Sequence, residues 1–391
     1  MRRTSPEVPE SRRAERVTPI ARRAVALHIV TRYQRGGSEQ RLRDLVAALA
    51  DVDHVVVVGS DSDAELATEH LGFAVEVDRH LVRSPRPGHD LRALRSTRAR
   101  IRRVRPDVIV THQSKAGVVG RIAARTTGRG PVLHSLSMAS FGPGYGRAES
   151  ALFRWIERAL APLTAGYVVV GADLARRFEV AGVASAKLAI VRSAATLPAP
   201  RPPTPPKVDG IPDGRPVIVS LGALEERKNP LQLVPLLRRV RAQVPDAFLA
   251  IAGEGPLADA LRAEVDAAGL HDDVAILGYV KPTAPLLWRA DGLVLLSNAE
   301  GLPQVLVQAA AAGVPFVSYD VDGAREVLAL GAVGSVVPLG AVDDAADELA
   351  HLLRTAPAGT RTVDVGSWDT DVIYSAYRRV VDDVVGVARV G

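Results

Sequence analysis

At 391 residues the chain is too long for one ordinary core and suits two domains of about 150–200 residues each. Its 47% apolar and 24% charged residues give a globular balance, and no apolar run approaches the roughly 18 residues that span a bilayer. The absence of cysteine excludes disulfides, zinc–thiolate sites and thiol catalysis, and it fits a reducing cytoplasm.

Charge is unevenly divided. Residues 1–200 hold 32 Lys and Arg against 19 Asp and Glu, a net of +13; the remainder holds 17 against 25, a net of −8. A basic first half suits contact with something anionic, a membrane surface or a phosphorylated acceptor. The other reading is compositional: the chain uses Arg for nearly all its positive charge.

Residues 1–23 contain seven arginines, Arg2 to Arg23, and no apolar stretch, which predicts a disordered basic arm. Arg22 and Arg23 precede an apolar run, as in a twin-arginine signal. That run holds His28, meets Arg32 and Arg35 at once and lacks a small-residue cleavage site, so a first strand is expected.

Short β-branched runs then alternate with segments of helical period, the pattern of an α/β fold with parallel sheets. Strands are expected at Ala24–Val30, His54–Val58, Phe73–Val77, Asp107–Thr111, Pro131–His134, Tyr167–Val170 and Leu188–Val191. Between Leu197 and Pro206 prolines are too dense for a sheet or helix. The alternation resumes with Pro216–Leu221, Phe248–Ala252, Val274–Leu277, Leu293–Leu296, Pro315–Tyr319 and Val336–Val337. Two strand–helix series joined by a stiff spacer describe two lobes: 24–197 and 215–365, with the linker at 198–214. A tail at 366–391 carries a helix with Ser367 as its expected N-cap and an apolar stripe at Val372, Ile373, Ala376, Tyr377, Val380 and Val381.

Three segments carry chemistry. Gly36 and Gly37 follow the first strand and precede a helix from about Gln40 to Ala50, so bare backbone and helix amides would face a ligand. An ordinary turn explains them equally well. Glu300 precedes Gly301, Leu302 and Pro303 and an alanine-rich helix expected from about Leu302 to Ala312, with Gln308 further along it. Eight helical steps would separate Glu300 and Gln308 by ~12 Å along the axis, so Glu300 belongs to the incoming loop, beside amides suited to a sugar or phosphate. Simple helix capping is the alternative role for Glu300. Arg227 and Lys228 follow the strand ending at Gly222, where cations can neutralise a departing diphosphate or merely be solvated. Gly253 marks another strand end of the kind where open α/β sheets bind ligands.

Together these segments resemble the family-4 retaining glycosyltransferases of the GT-B fold, from Ala24 to the tail helix. The Gly-Gly-Ser-Glu loop at 36–39 matches the family's first loop. Pro106–Ile109, Thr111–Gly117 and Gly120-Arg121 resemble a branch that builds capsule, lipopolysaccharide or lipid-linked envelope glycans. Glu157-Arg158, Gly222–Lys228, Gly253–Pro256, Glu300-Gly301 and Gly313–Pro315 fall in family order. The resemblance implies two Rossmann-like parallel-sheet lobes with a cleft between them and a C-terminal helix crossing back to the first lobe. It implies a nucleotide-sugar donor, UDP- or GDP-linked, on the second lobe: Glu300 at the transferred sugar, Gln308 at the ribose, Lys228 at the diphosphate. The acceptor, a sugar, a lipid-linked carrier or a small molecule, falls to the first lobe near His112, Ser114, Lys115 and Ser137. His134 is the candidate catalytic histidine, with a structural hydrogen-bonding role as the alternative. Anomeric configuration would be retained, and neither cofactor nor metal is expected. Asp61-Ser62-Asp63 fits a metal-binding Asp-x-Asp pattern, but Asp51-Val52-Asp53 and Asp320-Val321-Asp322 fit it too, and all read as loop acids.

Four positions depart from the family pattern: Ala223 for an arginine, Gln308 for a glutamate, Arg192-Ser193 for Asn-Gly, and Ser137 for the active-site histidine. A catalytically impaired member with a binding or regulatory role is therefore the alternative function, and an epimerase on a similar fold a third. The arginine-rich helix expected from about Leu91 to Val104 suits either an anionic membrane at the inner face of the plasma membrane or plain solvent. With 4% aromatic residues, nucleic acid is not an expected partner.

Overall fold

The computed structural model describes residues 23–34, 37–199, 201–356, 359, 363 and 366–390. The expected arm at 1–23 and Gly36 lie outside these, apart from Arg23.

All thirteen expected strands form, each within about three residues of its predicted ends. The first sheet comprises β1 (Val25–Val30), β2 (Asp53–Gly59), β3 (Glu76–Asp78), β4 (Val108–His112), β5 (Val132–Leu136), β6 (Gly166–Val169) and β7 (Leu188–Ile190), in the order β3-β2-β1-β4-β5-β6-β7. The second comprises β8 (Val217–Leu221), β9 (Phe248–Ala252), β10 (Val274–Gly278), β11 (Gly292–Leu295), β12 (Phe316–Tyr319) and β13 (Gly334–Val337), in the order β10-β9-β8-β11-β12-β13. Every pairing is parallel, so helices must cover both faces of each sheet.

In each sheet the chain reverses its direction of strand addition once, between β1 and β4 and between β8 and β11. Loops leaving neighbouring strands at such a point diverge to opposite faces and open a crevice at the strands' C-terminal ends, the usual ligand site of open α/β sheets. The loop carrying Lys228 leaves β8, and the loop carrying Glu300 leaves β11.

Helix α1 (Gly37–Ala48) starts earlier than Gln40, with Gly37 as its first residue. Helix α2 spans Ala64–Leu71, and α3, Pro87–Val104, extends the expected arginine-rich helix by one turn, with Pro87 at its start. Helices α4 (Ser114–Thr127), α5 (Arg147–Leu160) and α6 (Ala172–Val180) complete the first lobe. The second lobe adds α7 (Leu233–Arg241), α8 (Ala258–Ala267), α9 (Ala284–Arg289), α10 (Gln304–Ala312), α11 (Ala324–Ala329) and α12 (Val342–Thr355).

The tail helix α13 (Thr370–Val390) inserts Ile373, Tyr377, Val381 and Val384 among Ala26, Leu45, Val110 and Leu133 of the first lobe. Trp368, just before it, is buried in the core of the second lobe, where the Arg192 guanidinium stacks on its ring at 4.3 Å. The cap differs from expectation. Ser367 belongs to a short 3₁₀ turn, and the Asp369 carboxylate accepts the Asp371 amide at 2.9 Å. The proline-rich stretch after β7 forms no helix or strand among its described residues and is tied to the second lobe by Trp288 Nε1 on the Ala199 carbonyl at 2.9 Å.

Candidate active site

The second-lobe side of the crevice is built by two loops that hold each other. The Asn298 amide donates to the Arg227 carbonyl at 2.8 Å, and Arg227 Nη1 donates back to the Ala299 carbonyl at 3.0 Å. Lys228 ends a 3₁₀ turn and reaches Glu300 Oε1 at 2.5 Å; Arg227 Nη1 stands 3.4 Å from the same oxygen. Burial would raise the Glu300 carboxyl, but the Lys228 and then the Arg227 cation outweigh it and hold it below the usual glutamate value. The result is a carboxylate only 11% exposed, with two cations aimed at one anionic position.

Gly222 and Gly253 lie side by side where β8 and β9 end: Gly222 N donates to Ala252 O at 3.0 Å and Gly253 N to Gly278 O at 2.7 Å. Ala223, exposed beside them, supplies no cation, so Arg227 and Lys228 carry the positive charge of this loop. Pro303 takes the extended position before α10, which therefore begins at Gln304 and not at Leu302. Leu302 packs against the apolar clusters of both lobes. Gln308 donates to the Thr196 carbonyl at 3.2 Å and Gln304 to the Ser193 carbonyl at 3.4 Å, so this face of α10 rests on the segment leaving the first lobe.

First-lobe residues close the crevice. Ala139, Phe141, Pro143, Tyr145 and Arg177 face Asn298, Ala299, Glu300, Val321 and Asp322. Backbone touches backbone at two glycines. A Cβ on Gly301 would stand 1.8 Å from the Ser137 carbonyl oxygen, and one on Gly144, at φ +82°, would stand 2.2 Å from the Asn298 oxygen. Ser137, which occupies the place of the expected histidine, thus meets the residue next to Glu300.

His134 requires correction as a catalytic candidate. Strand β5 continues past it to Leu136, which places its ring inside the sheet layer with no exposure. Nδ1 lies 2.8 Å from Thr111 Oγ1, and a side chain at Gly117 would collide with the ring. Burial, then Arg121, depress its basicity well below the ordinary histidine value. His112 is buried as well, its Nε2 3.3 Å from His28 Nδ1, while His28 Nε2 meets His54 Nδ1 at 3.0 Å. Ser114 bonds Ser140 at 2.5 Å, and Lys115 is engaged by the Ser84 carbonyl at 2.6 Å and Asp90 at 2.5 Å. Gly37 begins α1. The three Asp-x-Asp stretches go elsewhere: Asp51 pairs with Arg378, Asp63 caps α2 through the Leu66 amide, and Asp322 pairs with Arg177.

Sequence reasoning missed the polar contacts between lobes. Arg177 on α6 bonds Asp322, and two helix starts cap each other: Gly323 N donates to Asp173 Oδ2 at 2.9 Å, and Asp173 N to Glu326 Oε1 at 2.8 Å. Partners about 150 positions apart leave no local signal.

A two-lobed α/β protein with a crevice at the switch points of its parallel sheets is the class that fold and site define. A profile described as "Glycosyl transferase 4-like domain" matches residues 36–194, and one described as "Glycosyl transferases group 1" matches residues 204–362. The chain belongs to the family-4 glycosyltransferases of the GT-B fold.

Among curated proteins it is 24% identical over 243 residues to UDP-Gal:alpha-D-GlcNAc-diphosphoundecaprenol alpha-1,3-galactosyltransferase of Escherichia coli, covering 60% of this chain and 63% of that protein. It is 29% identical over 295 residues to a phosphatidyl-myo-inositol mannosyltransferase of Mycobacterium leprae, covering 71% and 74%. A GDP-mannose-dependent alpha-(1-6)-phosphatidylinositol monomannoside mannosyltransferase of Mycobacterium tuberculosis matches at 34% over 152 residues, only 38% of its length. The chain thus spans less than two thirds of the length of two of these three relatives. The lipopolysaccharide outer core galactosyltransferase WaaB superposes with TM-score 0.66 at 15% identity, covering 92% of this chain and 99% of that one. HepE of Anabaena with UDP and glucose superposes with TM-score 0.65 at 18% identity, covering 94% and 97%.

Proposed function

We propose that this chain transfers a sugar, with retention of configuration, from a UDP- or GDP-linked donor to a cell-envelope, polysaccharide or lipid-linked acceptor. The carrying observation is Glu300 with Lys228 and Arg227 on adjoining loops at the switch point of the second sheet. The two cations neutralise Glu300. With donor bound, Lys228 would turn to the diphosphate, whose negative charge grows as the anomeric C–O bond breaks, and Glu300 would hold the sugar hydroxyls. The acceptor oxygen forms the new bond on the same face, and its proton passes to the departing phosphate oxygen. The donor nucleotide would lie along Gly222, Gly253 and α10. The acceptor would enter from Ser137 and Tyr145, and Ser114 and Lys115 would shape its outer approach.

Relatives named for diphosphoundecaprenol and phosphatidylinositol acceptors favour a lipid-linked acceptor and action at the inner face of the plasma membrane. The test is nucleoside diphosphate release by the purified chain from a panel of nucleotide sugars with lipid-phosphate and sugar acceptors. Release that disappears in Glu300→Ala supports the reading; no turnover with any pair sinks it.

A further inference from the structure

Helix α5 turns one face to the fold and leaves an apolar ridge on the other. Ser150, Phe153, Glu157 and Leu160 turn toward the first lobe. On the opposite side Trp155 is 67% and Leu152 55% exposed, and by helical period Ala148, Ala151 and Ala159 share their ridge. Single exposed leucines are ordinary on soluble surfaces, but a tryptophan two-thirds exposed, one turn from an exposed leucine, is an apolar ridge that calls for a partner.

The charge beside the ridge says which partner. Arg147, Arg154 and Arg158 fall along one flank of the helix, all exposed, and none is ion-paired among the described residues. The neighbouring helices on this sheet face, α3 and α4, add exposed Arg92, Arg95 and Arg125. In an antiparallel pair of copies the two arginine rows would share one edge and repel, whereas an anionic lipid surface would neutralise them.

We propose that α5 docks this protein on an anionic bilayer, with Leu152 and Trp155 at headgroup depth and Arg147, Arg154 and Arg158 on lipid phosphates. Interfacial helices combine this apolar face with flanking cations, and tryptophan favours that depth. The placement also serves the crevice. Gly146 precedes the first turn of α5, and Tyr145, one residue earlier, lines the crevice opposite Glu300, so docking brings its mouth to the lipid surface. The inference rests on the proposed membrane-face acceptor and deepens it.

The test is sedimentation of the full chain with phosphatidylcholine vesicles with and without phosphatidylglycerol. Phosphatidylglycerol should tighten binding at least ~10-fold, and L152S/W155S should lose at least ~10-fold while melting like the parent. Brominated lipid should quench a fluorescence component that W155F lacks. Nucleoside diphosphate release with a water-soluble acceptor should be unchanged in L152S/W155S. Absence of binding to phosphatidylglycerol vesicles overturns the inference. So does binding that survives L152S/W155S but falls in R92E/R95E, which would place the contact on α3, or a dimer that L152S/W155S dissolves without altering vesicle binding. Docking that depends on α5, in a chain that turns over no donor, would uphold this inference and sink the enzymatic one.

Discussion

Arg177 of α6 and Asp322 beyond β12 form a two-point ion pair across the crevice, Nε to Oδ2 at 2.8 Å, with both side chains less than one-fifth exposed. Around it, Asp173 and Glu326 each occupy the start of the other lobe's helix. These contacts tie the two lobes together across the crevice.

Breaking that pair should open the molecule. In Asp322→Asn or Arg177→Ala, small-angle scattering of the free protein should show a larger radius of gyration. Unfolding free energy should fall by about 1–3 kcal/mol, below the full cost for a wholly buried pair. An unchanged scattering profile would show that the pair does not hold the lobes.

Lys228→Ala leaves the buried Glu300 carboxylate with Arg227 alone. Because burial pushes this carboxyl up and the cations pull it down, removing Lys228 should raise its titration. The acid limb of the pH–rate profile should therefore move to higher pH. The pair's stabilisation exists above the ordinary glutamate value and is lost as pH falls through the lowered folded value. Donor turnover should drop at least ~100-fold, as for loss of a charge-stabilising group. An acid limb that stays put would show that Glu300 does not govern it.

Gly301→Ala tests the contact between lobes. With its Cβ 1.8 Å from the Ser137 oxygen, the variant must separate the two loops. Turnover should fall while the cooperative melt is retained. Full activity would show that the lobes need not meet there.

Buried histidines predict acid instability. His112 is depressed to about 3 by burial first and then by Arg41, and His28 lies well below its ordinary value through burial and its two histidine neighbours. Each is neutral in the fold and takes up a proton on unfolding. Stability should thus decline as pH drops below about 6.5, by up to ~1.4 kcal/mol per pH unit for each. Melting curves of His112→Asn should show a shallower acid decline; an identical slope contradicts the assignment.

Glu157 and Arg121 are a fully enclosed pair, bonded at 2.7 and 2.9 Å, with the Tyr167 hydroxyl 3.2 Å from Arg121. Glu157→Ala strands a buried guanidinium and should cost about 3–5 kcal/mol in chemical denaturation. A loss under 1 kcal/mol would mean that water reaches Arg121.

The strands were legible because β-branched runs broken by glycine and proline are local signals: Phe248–Ala252 forms as predicted to the residue, and β5 alone overran enough to mislead. Two more residues of extended chain, Ser135 and Leu136, turned His134 from a strand-end candidate into a core histidine. The loops bearing Lys228 and Glu300 could likewise be found from sequence, since each follows a recognisable strand at a fixed offset.

From sequence alone came two parallel-sheet lobes, their order along the chain, and the residue types at the second lobe's strand ends, all encoded within windows of about a dozen residues. Only the tertiary structure could decide which of those residues meet. Lys228 and Glu300 are 72 positions apart and Arg177 and Asp322 145, and which strands lie side by side is a long-range choice made by burial of whole sheet faces. The same holds for α5: its helical period can be read locally, but which face turns inward depends on long-range contacts such as the Arg121–Glu157 pair, 36 positions apart.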